Sequence, residues 1–334
     1  MQRLVRSPSR LLCAAATPTA PQWLDPACET HRRWVQRMRC FIFDIDGVIH
    51  TPAGPISGAS TTLSQLRDRG IAVRFLTNNA TKSPHTIVSE FADMGIDACT
   101  SEVTTSACVA ADYLCKQGLS GSPVYVIGER SLLETLDSRA GVRAFGGPDD
   151  AGKSRRTLLD EGHSIATLSP PADAVGAVVI GADGDANYYK IAMAAAYLRG
   201  NPNCLFVVTN PDPAFTLAPR GDGIPATLAP AAGVWARAVA MVSGREPDIV
   251  CGKPSASLGQ HMLQSYGLEP ATTCMVGDRI DTDIEFGRSA GMATLFVDSG
   301  STAAATALSA QAAQRPDFLA PSIAVLAAAL RSNS

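Results

Sequence analysis

Short apolar runs and helically spaced apolar residues alternate along most of this chain. Cys40–Phe43 is an apolar run long enough for a buried strand, and it stops abruptly at Asp44. Ala59–Arg69 carries Leu63 and Leu66 at helical spacing and is stopped by Gly70. Val73–Leu76 reads as a second buried strand. Ser83-Pro84 is a helix start, an N-cap followed by proline at the first helical position, for a helix that runs to Met94 and stops at Gly95. Val103–Lys116 predicts a further helix. Strands and helices in this order imply a parallel sheet covered on both faces.

Further on, Val124–Ile127, Ala177–Ile180 and Leu205–Val208 read as strands, separated by helical patterns at Leu132–Leu136, Tyr188–Leu198 and Ala231–Val242. The stretch Gly146–Pro171 is polar and rich in Gly, Pro and Asp, which predicts a long surface loop with a weak helix at most. The alternation then resumes with strand Ile249–Val250, helix Ser257–Tyr266, strand Cys274–Val276, helix Ile280–Ala290, strand Thr294–Val297 and helix Ile323–Leu330. The fold class is therefore α/β, with a Rossmann-like parallel sheet.

Composition narrows the classes. The 334 residues suffice for one large domain or two medium ones, and 46% hydrophobic with 18% charged residues is ordinary for a globular protein. The net charge is −3 and the basic residues form no dense run, so no nucleic-acid partner is expected. No apolar stretch approaches the roughly 18 residues of a membrane span; Ala192–Ala196 and Ala303–Ala313 read as helices. Nine cysteines without a CxxC pair fit free thiols better than a disulfide framework or a zinc site. Met1–Leu24 lacks acidic residues and carries Arg3, Arg6 and Arg10 among Ser, Ala, Thr and Pro. That suits an organelle transit peptide; a disordered tail on a cytosolic protein is the alternative, since Pro8 interrupts any amphipathic helix. Residues 1–35 are set aside as an N-terminal extension.

Ligands in open α/β sheets bind beyond the carboxyl ends of the strands. Asp44-Ile45-Asp46-Gly47 follows the first strand, Thr77-Asn78-Asn79 the second, Gly252-Lys253-Pro254 the strand near residue 250, and Gly277-Asp278, with Asp281 and Asp283, the strand ending at Val276. Side by side, these ends make an acidic pocket with one cation and several hydrogen-bond donors.

In type and order this set resembles the haloacid dehalogenase-like (HAD) phosphatases, over nearly everything from about residue 36 onward. Asp44-Ile45-Asp46-Gly47-Val48 is similar to that family's first motif, Thr77 to its second, Lys253 to its third, and Gly277-Asp278 with Asp283 to its fourth. A closer resemblance is to the branch of phosphoglycolate, pyridoxal phosphate and 4-nitrophenyl phosphate phosphatases and NagD-like proteins. It rests on Thr77-Asn78-Asn79, Thr209-Asn210-Pro211-Asp212, Gly252-Lys253-Pro254-Ser255, Gly277–Ile284 and Pro316-Asp317-Phe318. The resemblance implies a catalytic core over residues 36–120 and 245–334 and an inserted α/β cap over 121–244, with the polar insertion near 146–171. A homodimer through the cap is implied too.

A phosphomonoester is anionic and a bare carboxylate repels it, so the chemistry calls for a divalent cation with hard oxygen ligands, Mg²⁺ by resemblance. The implied ligands are Asp44, the main-chain carbonyl of Asp46, and Asp278, with Asp283 behind them. By the same resemblance Asp44 is the nucleophile that forms an aspartyl phosphate, Asp46 the general acid and base, and Lys253 a fixed positive charge. Thr77 and the amides of Asn78 and Asn79 are expected to donate to phosphoryl oxygens. Phosphoglycolate is the first substrate expected, then a broad set of small phosphomonoesters. Asp185, where pyridoxal phosphate phosphatases carry a histidine, and the stretch Ile224–Leu228, which replaces a Pro-Gly-Thr-Gly turn, depart from the branch.

Taken singly, each motif has a structural reading. Asp44 and Asp46 serve as turn residues or helix N-caps elsewhere, Thr77–Asn79 as a polar turn, and Lys253 as a solvated lysine before a proline-started helix. Asp281 reads as a helix-start acid outside the site, and His50, His85, His163 and His261 as isolated residues. One competing motif exists: Gly147–Ser154 fits the P-loop pattern of an ATP-dependent kinase or NTPase. Asp149 and Asp150 would place two negative charges inside a phosphate cradle, which argues against it.

Overall fold

The computed structural model describes residues 21–160, 171–218, 227–311 and 314–331. Its strands are β1 (Gln22–Trp23), β2 (Cys40–Phe43), β3 (His50–Thr51), β4 (Gly54–Pro55), β5 (Ala72–Thr77), β6 (Val103–Thr105), β7 (Pro123–Ile127), β8 (Arg143–Gly146), β9 (Ala177–Ile180), β10 (Leu205–Val208), β11 (Ala214–Ala218), β12 (Thr227–Pro230), β13 (Ile249–Val250), β14 (Thr273–Gly277), β15 (Ala293–Val297) and β16 (Phe318–Ala320). Seven form a parallel sheet in the order β1-β16-β15-β14-β2-β5-β6. Five form a second parallel sheet in the order β13-β10-β9-β7-β8. Two small hairpins, β3–β4 and β11–β12, complete the strands.

The central strands are buried on both faces because consecutive side chains point to opposite sides. Phe41, Phe43 and Phe75 enter one apolar cluster, while Cys40, Ile42 and Leu76 enter another. Burying one such phenylalanine contributes about 1.5–3 kcal/mol. The second cluster does not stop at the first sheet. It continues through Ala107, Ala110 and Leu114, then Leu132 and Leu136, to Val124, Val126, Val179 and Val207 of the second sheet. The two sheets are thus joined by shared apolar packing as well as by two chain crossings.

Several expectations need correction. Residues 22–35 are not an appendage: β1 pairs with β16, Leu24 and Val35 are buried, and a helix spans Glu29–Arg37. Its sequence, ETHRRWVQR, holds only two apolar residues, the adjacent Trp34 and Val35, of which Val35 is buried. The first twenty residues, where most of the transit-peptide reading falls, lie outside the described residues. The helix expected from Val103 begins at Ser106, because β-branched Val103–Thr105 pairs with β5 and the Thr105 hydroxyl accepts the Cys108 N–H as N-cap. Ile249–Val250, placed in the resumed core by the sequence pattern, pairs with β10 in the second sheet. In the polar stretch after β8, a tight turn at Gly147–Asp150 and a short helix at Arg155–Asp160 are present; 161–170 lie outside the described residues. The alanine-rich tract forms a helix only over Ala304–Leu308, with 312–313 not described. Among the described residues every cysteine is free and no helix is long and apolar enough to cross a membrane.

Candidate active site

β14, β2 and β5 are neighbours in the first sheet, and their carboxyl ends deliver Asp278, Asp44 and Thr77 to one spot. The fourth contributor comes from elsewhere. β13 of the second sheet ends at Val250, and Cys251-Gly252-Lys253 carries the chain directly into the acidic pocket.

Lys253 Nζ donates to Asp44 Oδ1 at 2.7 Å and to the Leu76 carbonyl at 3.1 Å, and lies 2.8 Å from Asp283 Oδ1. The lysine is 2% exposed, so its charge is set entirely by these partners. Burial pulls its pKa down, but Asp283 and Asp44 outweigh that and raise it. Asp283 Oδ2 accepts the Arg279 N–H at 3.0 Å, held inward by the wide turn Ile280–Ile284. Asp278 is also buried: its Oδ2 accepts from the Ser301 N–H at 2.6 Å and the Ser301 hydroxyl at 2.8 Å. Its Oδ1 is buried without a hydrogen-bond partner. Gly47 makes the turn after Asp44 at φ +84°, and a Cβ there would sit 2.7 Å from Asp278 Oδ2.

Carboxylate oxygens of Asp44, Asp278 and Asp283 all lie within 4.8 Å of one another, and the ammonium of Lys253 pairs with only two of these acids, Asp44 and Asp283. Burial pushes the Asp44 carboxyl well above the usual range, Lys253 pulls it down, and Asp283 and Asp278 push it up again. Burial and Asp283 push Asp278 up to about 6, against the Ser301 hydrogen bonds. Excess negative charge, hard oxygen donors and an unpartnered buried oxygen fit a divalent cation of the Mg²⁺ type. The oxygens left uncommitted belong to Asp44 and Asp278, whereas those of Asp283 face Lys253 and Arg279.

The Asp46 side chain is 63% exposed at the mouth, 3.8 Å from His50 Nε2. Thr77 is buried, and its hydroxyl accepts the Asn79 N–H at 3.0 Å. Of the donors expected for phosphate at Asn78 and Asn79, the Asn79 N–H is given to the Thr77 hydroxyl in this structure. The Asn78 side chain is spent too. Its Oδ1 accepts the Lys253 N–H at 2.7 Å, and its Nδ2 donates to the Lys253 carbonyl at 3.1 Å and to Asp212 Oδ2 at 2.8 Å. Asp281 lies outside the cluster, half in solvent and paired with Arg279.

Asp212 and Arg279 lie inside motifs that carry the resemblance but were assigned no role by it, and Ser301 lies outside every motif. Arg279 donates to Asp212 Oδ1 at 2.8 Å. A residue type alone does not reveal such a role; the signals were the polar runs Thr209–Asp212 and Gly277–Ile284, each directly after or at the end of an apolar strand. The P-loop pattern at Gly147–Ser154 forms no cradle. Lys153 pairs with Asp150 at 2.9 Å and lies over the Tyr189 ring, and Asp150 also accepts from the Tyr125 hydroxyl.

A family model for haloacid dehalogenase-like hydrolases matches residues 41–141, and a HAD-hydrolase-like model matches 250–326. Phosphoglycolate phosphatase 2 of Arabidopsis thaliana is 38% identical over 83% of this chain and 88% of its own length. The 4-nitrophenylphosphatase of Schizosaccharomyces pombe is 32% identical over 89% and 96%. Among solved structures, the glycerol phosphate phosphatase of Mycobacterium tuberculosis in complex with magnesium superposes with a TM-score of 0.70 at 28% identity, covering 88% of this chain and 77% of that one.

Proposed function

The chain belongs to the haloacid dehalogenase-like hydrolases and is a phosphoric monoester hydrolase; on that premise we propose that it hydrolyses a small phosphomonoester through an aspartyl phosphate on Asp44, with Mg²⁺ as its cation. The observation that carries this reading is the buried contact of Lys253 with both Asp44 and Asp283 beside the unpartnered oxygen of Asp278.

Asp44, the Asp46 carbonyl and Asp278 would hold the cation, with Asp283 steadying Lys253 behind them. Bound there, Mg²⁺ supplies positive charge that offsets the repulsion between the acids and an incoming phosphate dianion. An Asp44 carboxylate oxygen attacks phosphorus as the ester P–O bond breaks. Protonated Asp46, at the solvent-facing mouth, gives its proton to the leaving alcohol oxygen. In the second step Asp46 takes a proton from water as that water attacks phosphorus. The P–O bond to Asp44 then breaks and phosphate leaves. Lys253 keeps its charge throughout because two acids hold it. Thr77 faces the same pocket as a hydroxyl donor to the phosphoryl group.

The relatives' names favour phosphoglycolate first, then 4-nitrophenyl phosphate and glycerol phosphate. Exposed Phe215, Leu228, Met241 and Val242, on the β11–β12 hairpin and helix Ala232–Ser243, support dimerisation through the cap. The test of function is phosphate release from these three esters with Mg²⁺ and with EDTA. Release that depends on metal supports the reading, and metal-independent or absent release rejects it. Light scattering decides the dimer.

A further inference from the structure

Strands β10 and β13 are paired through Val208 and Val250 and run out of the second sheet together. One continues into Asn210-Pro211-Asp212, the other into Gly252-Lys253. Both therefore reach the catalytic pocket from the cap side, and the Asn78 side chain lies between them. Its amide grips both backbone groups of Lys253 and uses its second N–H on Asp212. The Asn78 carbonyl in turn accepts from Asn210 Nδ2 at 2.8 Å and the Ser106 hydroxyl at 2.6 Å. Contact is close enough that a Cβ on Gly252 would fall 2.6 Å from Asn78 Oδ1.

A carboxylate accepts hydrogen bonds and cannot donate them. Asp212, 9% exposed, thereby dictates that the nitrogen end of the Asn78 amide turns toward it. The oxygen end is then left facing the Lys253 N–H. The other Asp212 oxygen holds Arg279, whose own N–H holds Asp283, and Asp283 closes the ring on Lys253 Nζ. One cap carboxylate thus reaches Lys253 by two routes, through its backbone and through its ammonium.

We propose that Asp212 is a positioning residue: it polarises the Asn78 amide and anchors Arg279, and so places Lys253 on Asp44 and Asp283. This rests on the reading of Asp44 and Lys253 as the reacting pair. Asp212 touches no reacting atom in this scheme, so its loss is expected in kcat more than in KM. A displacement of about 1 Å at a catalytic group costs roughly a hundredfold in rate.

The experiment combines kinetics with hydrogen exchange. Asp212→Ala is expected to lower kcat for 4-nitrophenyl phosphate by roughly ten- to a hundredfold with KM within about twofold, and formate is expected to restore part of that kcat while leaving wild type unchanged. Asp212→Asn keeps the shape but removes the negative charge that faces Arg279 and leaves one acceptor oxygen for the two donors Arg279 and Asn78. It is the variant to rely on if the alanine form does not fold, with an expected kcat loss of about three- to tenfold. In metal-free protein both variants should exchange the Lys253 amide faster than wild type, a readout independent of turnover. Wild-type kcat in both variants, a loss confined to KM, or unchanged exchange at Lys253 overturns the proposal. An inactive wild type, or an active Asp44→Asn protein, would instead reject the phosphatase chemistry, and the exchange result would still decide what Asp212 positions.

Discussion

Two lysines are sunk out of solvent in this molecule, and the company each keeps differs. Lys190, in the helix Tyr188–Gly200, meets one acid: its Nζ lies 3.0 and 2.7 Å from the two oxygens of Asp183, which also accept the N–H groups of Asp185 and Gly128. Charge is balanced one to one and both carboxylate oxygens are satisfied. Lys253 meets an excess of acid instead, with one oxygen of Asp278 left unpartnered and the acids' proton affinities raised. A closed pair of the first kind holds a loop in shape. An unbalanced cluster of the second kind is poised for something that brings positive charge, and then a substrate.

If that contrast is right, the two sites should fail differently. Asp44→Asn should reduce phosphate release by at least about ten-thousand-fold. Without metal its thermal midpoint should equal or exceed that of wild type, because one of three mutually repelling acids is gone. Steady-state assay and a thermal melt check both halves. Lys190→Met should do the reverse. It strands buried Asp183 and costs about 3–5 kcal/mol of stability by urea unfolding, with kcat of the folded protein close to wild type. A double replacement, Asp183→Leu with Lys190→Met, should recover much of that loss.

Metal sharpens the comparison further. Mg²⁺ at a hundred times its dissociation constant should stabilise wild type by about 2.7 kcal/mol. Asp278→Asn should lose most of that gain, and Lys190→Met should keep it; calorimetric melts with and without Mg²⁺ discriminate.

The smallest effect concerns the seam between the two sheets. Asp112 bonds Arg139 through two hydrogen bonds and lies 3.2 Å from His261. Burial pushes its carboxyl up, but the hydrogen bonds from His261 and Arg139 outweigh burial and hold it at about 2, below the ordinary 3.8. A depressed carboxyl stabilises the fold above the unfolded value and loses that contribution as pH falls toward the folded one. Relative to Asp112→Asn, wild type should therefore lose stability as pH drops from about 4 to about 2, by about 1 kcal/mol after solvent screening. Unfolding midpoints across that range measure it.

Much of this was legible before any coordinates. Buried strands announce themselves as short apolar runs, and the polar residues that follow them converge, so the meeting of Asp44, Lys253 and Asp278 was legible from their places at strand ends. What stayed hidden depends on partners distant in sequence. A two-residue strand such as Ile249–Val250 has no periodicity to read, so its membership of the second sheet, and with it the delivery of Lys253 from that sheet, was invisible. The strand Val103–Thr105 was absorbed into the helix that follows it. The commitment of the Asn78 side chain to Lys253 and Asp212 depends on partners 175 and 134 residues away, which no local motif shows. The helix Glu29–Arg37 is hard to read in the sequence because its two apolar residues, Trp34 and Val35, are adjacent and lie among polar and charged neighbours.

The central claim is that Asp44 itself receives the phosphoryl group. Acid-quenching the enzyme during turnover of 4-nitrophenyl phosphate with Mg²⁺, followed by mass spectrometry of its peptides, tests it directly. A hydroxylamine-labile phosphoryl adduct on the Asp44 peptide is the expected result, absent in Asp44→Asn. An adduct on any other residue, or rapid turnover by the Asp44→Asn protein, would contradict the account.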